Sequence, residues 1–253
     1  MQLICPIRFS YPSVRYMMRY LIMKRLIMTL LIIAVAPGLY AQNSFFPSKA
    51  GVELLYANND AKGKPTGYSR LSIKDVSGSG ANMTITYGAE SLDKNLKPPK
   101  NSPGEMTLKA VIKDGVLILD LNQMIPANLI QQNTGINVTI SGTPMALPTD
   151  LQPGQTIDDA DVTVTVDLAI MKMNTVIKMT DGQCLTIEDV TVPAGTFRSY
   201  KITQTVSATI MRKTTTSKTF AWYAPNIGTI KTETYDEKNK LTSSSELIEV
   251  KGK

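Results

Sequence analysis

The chain contains no histidine, and only two cysteines and one tryptophan among its 253 residues. Each shortage excludes something. Without His there is no Ser-His-Asp or Cys-His nucleophile and no imidazole-ligated metal. Two Cys cannot frame a disulfide scaffold or a four-thiolate zinc site. Aromatic residues make up only 6% and charged residues 19% of the chain. Long apolar runs are also scarce. The clearest is Leu26 to Ala36, in which Thr29 is the one polar residue. A spanning helix needs about 20 apolar residues, and Arg25 and Pro37 bound this run too tightly.

The run therefore reads as the core of a secretory signal peptide. Met23-Lys24-Arg25 supplies the positive start, Pro37-Gly38 the break, and Leu39-Tyr40-Ala41 a small residue before Gln42. Residues 1–41 are the expected leader, and 1–22 read as upstream of a true start at Met23 (or Met18). An exported location follows, periplasmic or associated with the outer membrane. No Cys follows the apolar run directly, so the sequence gives no sign of a lipid anchor.

Removing the leader changes the electrostatics. The whole chain has 27 basic and 21 acidic residues and a pI near 9.2. Five of the basic residues (Arg8, Arg15, Arg19, Lys24, Arg25) and none of the acids lie in 1–41, leaving 22 against 21. A nearly neutral field does not steer a nucleic acid. Cys5 leaves too, and the remaining Cys184 suits an inward position on a strand.

From residue 42 onward the pattern is that of strands. Met83, Ile85 and Tyr87 alternate with Thr84 and Thr86, a period of two. Lys113-Asp114-Gly115 signals a hairpin, and Val116 to Leu121 reads as its return strand. Residues 91–104 are loop, and within 122–134 a short helix is expected from an Asn122 cap through Gln132, bent at Pro126. Strands are expected at 136–140 and around Met145-Ala146-Leu147. Several prolines near 141–158 suggest a connector. Val162, Val164, Val166, Leu168 and Ile170 then alternate with polar residues, and the pattern slips near Met171-Lys172-Met173. Asp181-Gly182 reads as a turn, as do Val192 to Gly195, Ala224 to Gly228 and Asp236 to Asn239. Short connections force antiparallel neighbours. Residues 160–250 thus form a meander of about six strands, apolar on one face and rich in Thr, Lys and Glu on the other. The expected fold is all-β, an antiparallel meander closing as a sandwich or as a strongly curved, partly closed barrel, in one exported domain spanning 42–253.

Several stretches resemble one family. They are Phe46-Pro47 through Tyr56, Ala61 to Lys64, Val192-Pro193-Ala194-Gly195-Thr196-Phe197, and Trp222 to Gly228. The chain resembles the TapB-like group of exported bacterial proteins, commonest in Bacteroidetes-type bacteria and related to a periplasmic domain of unknown function. The resemblance implies an exported all-β protein and brings no catalytic residue with it.

No cofactor, metal or catalytic site is expected. Asp158-Asp159-Ala160-Asp161 lacks the six to eight oxygen ligands of a calcium loop. Ser91-Leu92-Asp93-Lys94 matches S-x-x-K, but precedes a Pro-rich loop instead of opening a helix. Phe220 and Trp222 are expected in the core. Tyr223 is expected on the wet face in ordinary cross-strand packing; an aromatic platform with Tyr235 for a sugar or peptide is the alternative. The functional expectation is a non-catalytic exported protein that binds a lipid-like or envelope ligand, or a protein partner. The alternative is a hydrolase of envelope polymers working with two carboxylates.

Overall fold

The computed structural model describes residues 44–100, 102, 104–119, 136–168, 172–210 and 212–252. The leader at 1–41, the doubtful segment 122–134 and the slip at Met171 lie outside the described residues. So does the end of the return strand, at Asp120-Leu121.

Among the described residues there is no helix, and fourteen strands form one antiparallel sheet. The first five are β1 (Glu53–Asp60), β2 (Pro65–Ser79), β3 (Asn82–Leu92), β4 (Met106–Lys113) and β5 (Val116–Leu119). The middle of the chain adds β6 (Ile136–Thr143), β7 (Ala146–Pro148) and β8 (Thr156–Ile157). The second half supplies β9 (Ala160–Leu168), β10 (Lys172–Val192), β11 (Gly195–Ile210), β12 (Lys213–Ala224), β13 (Gly228–Asp236) and β14 (Leu241–Lys251). Strands β9 to β14 are the expected six-strand meander, each paired with the next.

The two halves are one surface. β1 pairs with β14 from Glu53↔Lys251 to Asp60↔Ser243, and with β2 on its other edge. The order is β6-β9-β10-β11-β12-β13-β14-β1-β2-β3-β4-β5-β7, with β8 on β10. β6 and β7 are the two ends, so the sheet is not closed. Near β7, Met145 and Leu147 line one small pocket together with Ile202, Ala221 and Tyr223 of β11 and β12, so the sheet curves back over its inner face. The inner face is therefore covered by the far end of the same sheet.

Alternation in the sequence explains which side is inner. Met83 and Ile85 on β3, and Leu108, Ala110 and Ile112 on β4, are buried, while their neighbours are more exposed. A pleated strand sends successive side chains to opposite faces, so one apolar parity makes one apolar face. The segment between β6 and β9 adds Leu147, Leu151 and Ile157 to the core.

Asp181-Gly182 is not a turn. β10 runs unbroken through it for 21 residues. Thr180 pairs with Thr205 and Gln183 with Thr203, so two residues of β10 oppose one of β11. This is a bulge, with Asp181 at φ 56°. The sequence signal was a left-handed Asp beside Gly, which a bulge and a hairpin share. Gly182 has a second duty. A Cβ there would lie 2.9 Å from Ile157 Cβ and 3.0 Å from its carbonyl oxygen. Only glycine lets β8 pair so closely alongside the strand at that point.

Candidate functional site

The most unusual local structure is the start of the described chain. Residues 44–47 belong to no strand, yet Ser44, Phe45 and Pro47 are fully buried and Phe46 nearly so. The Phe45 ring meets Tyr200 edge-on at 5.0 Å and Tyr223 at 5.6 Å. Phe46 lies 4.9 Å from Tyr87. The segment is thus a wedge between β11–β12 and β3. Polar contacts hold it from the β12–β13 turn. Asn226 donates its N–H to the Ser44 carbonyl at 2.6 Å, and its side-chain oxygen accepts the Ser44 N–H at 3.4 Å. The Ser44 hydroxyl donates to the Phe46 carbonyl.

Beside the wedge is an apolar cavity of about 90 Å³. Phe45, Phe46, Tyr56, Leu117, Met145 and Tyr223 are among its walls. The Tyr56 hydroxyl donates to the carbonyl of Thr229, another wall residue, at 2.9 Å. Burial pushes the Tyr56 phenol far above its ordinary value, and the nearby Tyr223 adds to the shift. Burial also raises Tyr223, against an opposing hydrogen bond with Thr229, and burial raises Tyr87.

The sign of the resulting pH dependence follows. A phenol whose pKa is higher in the folded state contributes stability that is complete below its unfolded value, about 10. That contribution is lost as pH rises through the folded value. Stability should therefore fall in alkali above about pH 10, and phenolate absorbance should show these tyrosines ionising only as the fold opens. Ionisation of every tyrosine in one normal step, with the fold intact, would contradict the buried wedge.

The opposite face of β10–β14 corrects the sequence reading. Lys201, Trp222, Lys231 and Glu246 stand in one cross-strand row, and residues in such a row share a face. Trp222 is buried with the core cluster as expected, only 6% exposed, and lies under lysines on the face opposite Tyr223. The Lys201 and Lys231 ammonium groups are 4.9 Å and 5.2 Å from its ring centre, and its indole N–H donates to Glu188 at 2.9 Å. Phe220 stands on the same side and meets Tyr235 edge-on at 5.6 Å. Tyr223, expected on the wet face, points inward to Phe45. The Tyr223–Tyr235 platform therefore does not exist. Two adjacent aromatics leave the phase of the alternation open, and large lysine stems can bury a Trp as well as a core can.

The outer cluster satisfies itself. Lys231 is 2.9 Å from Glu233 and 3.7 Å from Glu246, and Tyr235 donates to Glu233 at 2.8 Å. Burial raises the Glu233 carboxyl, but hydrogen bonds from Lys231 and Tyr235 outweigh it and leave the pKa lowered. Asp60 and Asp93 are also lowered, each by two backbone N–H groups. All three shifts run away from what a general acid needs. Ser91 and Lys94 of the S-x-x-K match fall at the end of β3 and in the turn after it, with no helix to bring them together. Asp158 and Asp159 form the exposed break between β8 and β9. Among the described residues no group of three or more His, Cys, Asp or Glu is placed to hold a metal ion. Cys184 is buried, and burial pushes its thiol pKa up.

The model of the DUF3108-like family matches residues 49–247. The chain belongs to the DUF3108-like family. Two solved structures share the fold of this DUF3108-like chain. One is a candidate exported protein from Bacteroides fragilis with a YmcC-like fold. It is 22% identical with a TM-score of 0.65, over 83% of this chain and 100% of the other. The second is a candidate lipoprotein from Parabacteroides distasonis. It is 22% identical with a TM-score of 0.66, over 83% of this chain and 99% of the other. At this identity the likeness is one of fold. No curated protein matches the DUF3108-like chain.

Proposed function

We propose that this chain is an exported bacterial envelope protein, without a catalytic centre, that holds an apolar, lipid-like group beside Phe45 and Phe46. The observation that carries the reading is the apolar cavity of about 90 Å³ walled in part by a wedge that belongs to no strand. Ligand pockets are typically about 300–1,000 Å³. As it stands the cavity admits only a small ring or the end of an acyl chain. A longer ligand has to take the place of the two phenylalanines. The wedge is suited to such exchange, because few hydrogen bonds fix it and its own rings are the chemistry a lipid would replace.

The two structural neighbours, a candidate exported protein and a candidate lipoprotein, support the envelope location. The turn motifs at 61–64, 192–197 and 222–228 support the finer TapB-like membership. The competing reading, a carboxylate hydrolase, needs a carboxyl held above its usual range. The carboxyls shifted here all go down.

The test uses phenylnaphthylamine, a dye that fluoresces in apolar surroundings, together with mass spectrometry of lipids that copurify. Phe46→Ala enlarges the cavity and should bind the dye at least tenfold more tightly than the parent protein. Acyl lipids should be recovered with the variant. If neither protein binds the dye and no lipid is recovered, the cavity is only a packing defect and the reading fails.

A further inference from the structure

Three turns of this chain are built alike. They are Asp60-Ala61-Lys62-Gly63-Lys64, Asp93-Lys94-Asn95-Leu96-Lys97 and Asp236-Glu237-Lys238-Asn239-Lys240. In each, the Asp carboxylate accepts the backbone N–H of the second and fourth residues after it, at 2.8–2.9 Å. In each, the third residue after the Asp has a positive φ: Gly63 at 74°, Leu96 at 60° and Asn239 at 58°. The carboxylates are spent on the backbone. The lysines beside them are exposed, and none lies within ion-pair distance of a carboxylate among the described residues.

Strand register brings these turns to one end of the sheet. Asp60↔Ser243 sets the β1–β2 tip beside the β13–β14 tip. Tyr68↔Leu92 sets the turn after β3 beside the start of β2. Ser217↔Asp236 and Ile210↔Lys213 add the β11–β12 tip, with Arg212 and Lys213. Seven neighbouring strands, β11 through β3, end here, a rim of roughly 25–30 Å at about 4.8 Å per strand. Lys62, Lys64, Lys94, Lys97, Lys238 and Lys240 stand on it, with Lys100 just beyond. Its acids are the three turn aspartates and Glu237. From residue 42 onward the charges nearly balance, so this excess is a segregation of charge and not a bulk property.

The same rim carries two exposed apolar side chains, Leu96 at 45% and Ile210 at 52% exposure. Leu96 is the telling one. It occupies the left-handed position that Gly63 and Asn239 fill in the sister turns. A leucine there is strained and gains no burial. Bare apolar tips set among lysines match the chemistry of a bilayer interface, where apolar groups enter below the headgroups and ammonium groups meet lipid phosphates.

We propose that this rim is a docking surface for an anionic phospholipid bilayer, with Leu96 and Ile210 inserted at headgroup depth. The proposal is independent of the apolar cavity, and either can fail alone. The test is cosedimentation of the protein, as its host exports it, with phosphatidylethanolamine vesicles that do or do not contain phosphatidylglycerol. Binding should appear only with phosphatidylglycerol and weaken strongly between about 0.1 M and about 1 M salt, as screening shortens the Debye length from about 10 to about 3 Å. The quadruple change Lys62→Glu, Lys64→Glu, Lys238→Glu, Lys240→Glu should lower the partition coefficient at least tenfold. Leu96→Gly should weaken binding severalfold while its melting temperature stays level or rises, because glycine suits the left-handed position. That variant separates docking from folding. Equal partition onto both kinds of vesicle, onto neither, or unchanged partition of the quadruple variant overturns the proposal.

Discussion

Phe45→Ala is expected to cost the fold roughly 3–5 kcal/mol, the usual range for removing a fully buried phenylalanine. At roughly 2–4 °C per kcal/mol for a domain of this size, its melting temperature should fall by roughly 6–20 °C. The reason is geometric. The ring is 1% exposed and touches two tyrosines, so its loss leaves a hole that the stiff strands around it cannot close. Edge-on ring pairs add about 0.5–1.5 kcal/mol beyond area burial. Calorimetry or urea denaturation measures it. A variant within about 1 kcal/mol of the parent would mean that the wedge sits loosely in solution and that the buried tyrosines find other partners.

The second large effect is expected at the seam between the two halves of the sheet. Leu247 on β14 is fully buried, opposite Tyr56 of β1. Leu247→Ala should cost roughly 2–5 kcal/mol. The informative quantity is the shape of the transition. β1 is bonded along its whole length to both β14 and β2, so loosening the seam should lower one cooperative transition for the whole molecule. Tyrosine fluorescence and far-ultraviolet circular dichroism should therefore give coincident curves for parent and variant. Two separated transitions would show that the halves are independent folding units and that the β1–β14 ladder is only a weak contact.

Much of this architecture was readable in the residues. The alternation at Met83–Tyr87, the hairpin at Asp114-Gly115 and the meander from Ala160 to Val250 all follow from side-chain parity and short turns. The β1–β14 ladder was not readable, because nothing local tells a first strand that its partner is the last. Asp181-Gly182 misled for a different reason. The same left-handed backbone serves a bulge or a turn, and only the neighbouring strand decides. The site was less legible than the fold. Phe46-Pro47 entered the sequence reading as part of a family motif, but a lone pair of aromatics outside any periodic stretch gives no sign of burial. Tyr223 was placed on the wrong face because hydrophobicity alone cannot set the phase of two adjacent rings. The repeated turns carried a readable signal, an Asp followed four residues later by Lys with Gly or Asn between. Leu96 hid one of the three.

The placement of β1 between β14 and β2 also dictates how the chain is made. A ribosome delivers the first strand about two hundred residues before its partner, so that edge waits unpaired through almost the whole of synthesis. Closing such a distant pairing is slow, and it cannot begin before the last strand has been made. Loss of the last dozen residues would strip β1 of one neighbour and leave a sticky open edge in its place. Nonsense changes near the carboxyl terminus should accordingly yield aggregates, not shortened working protein.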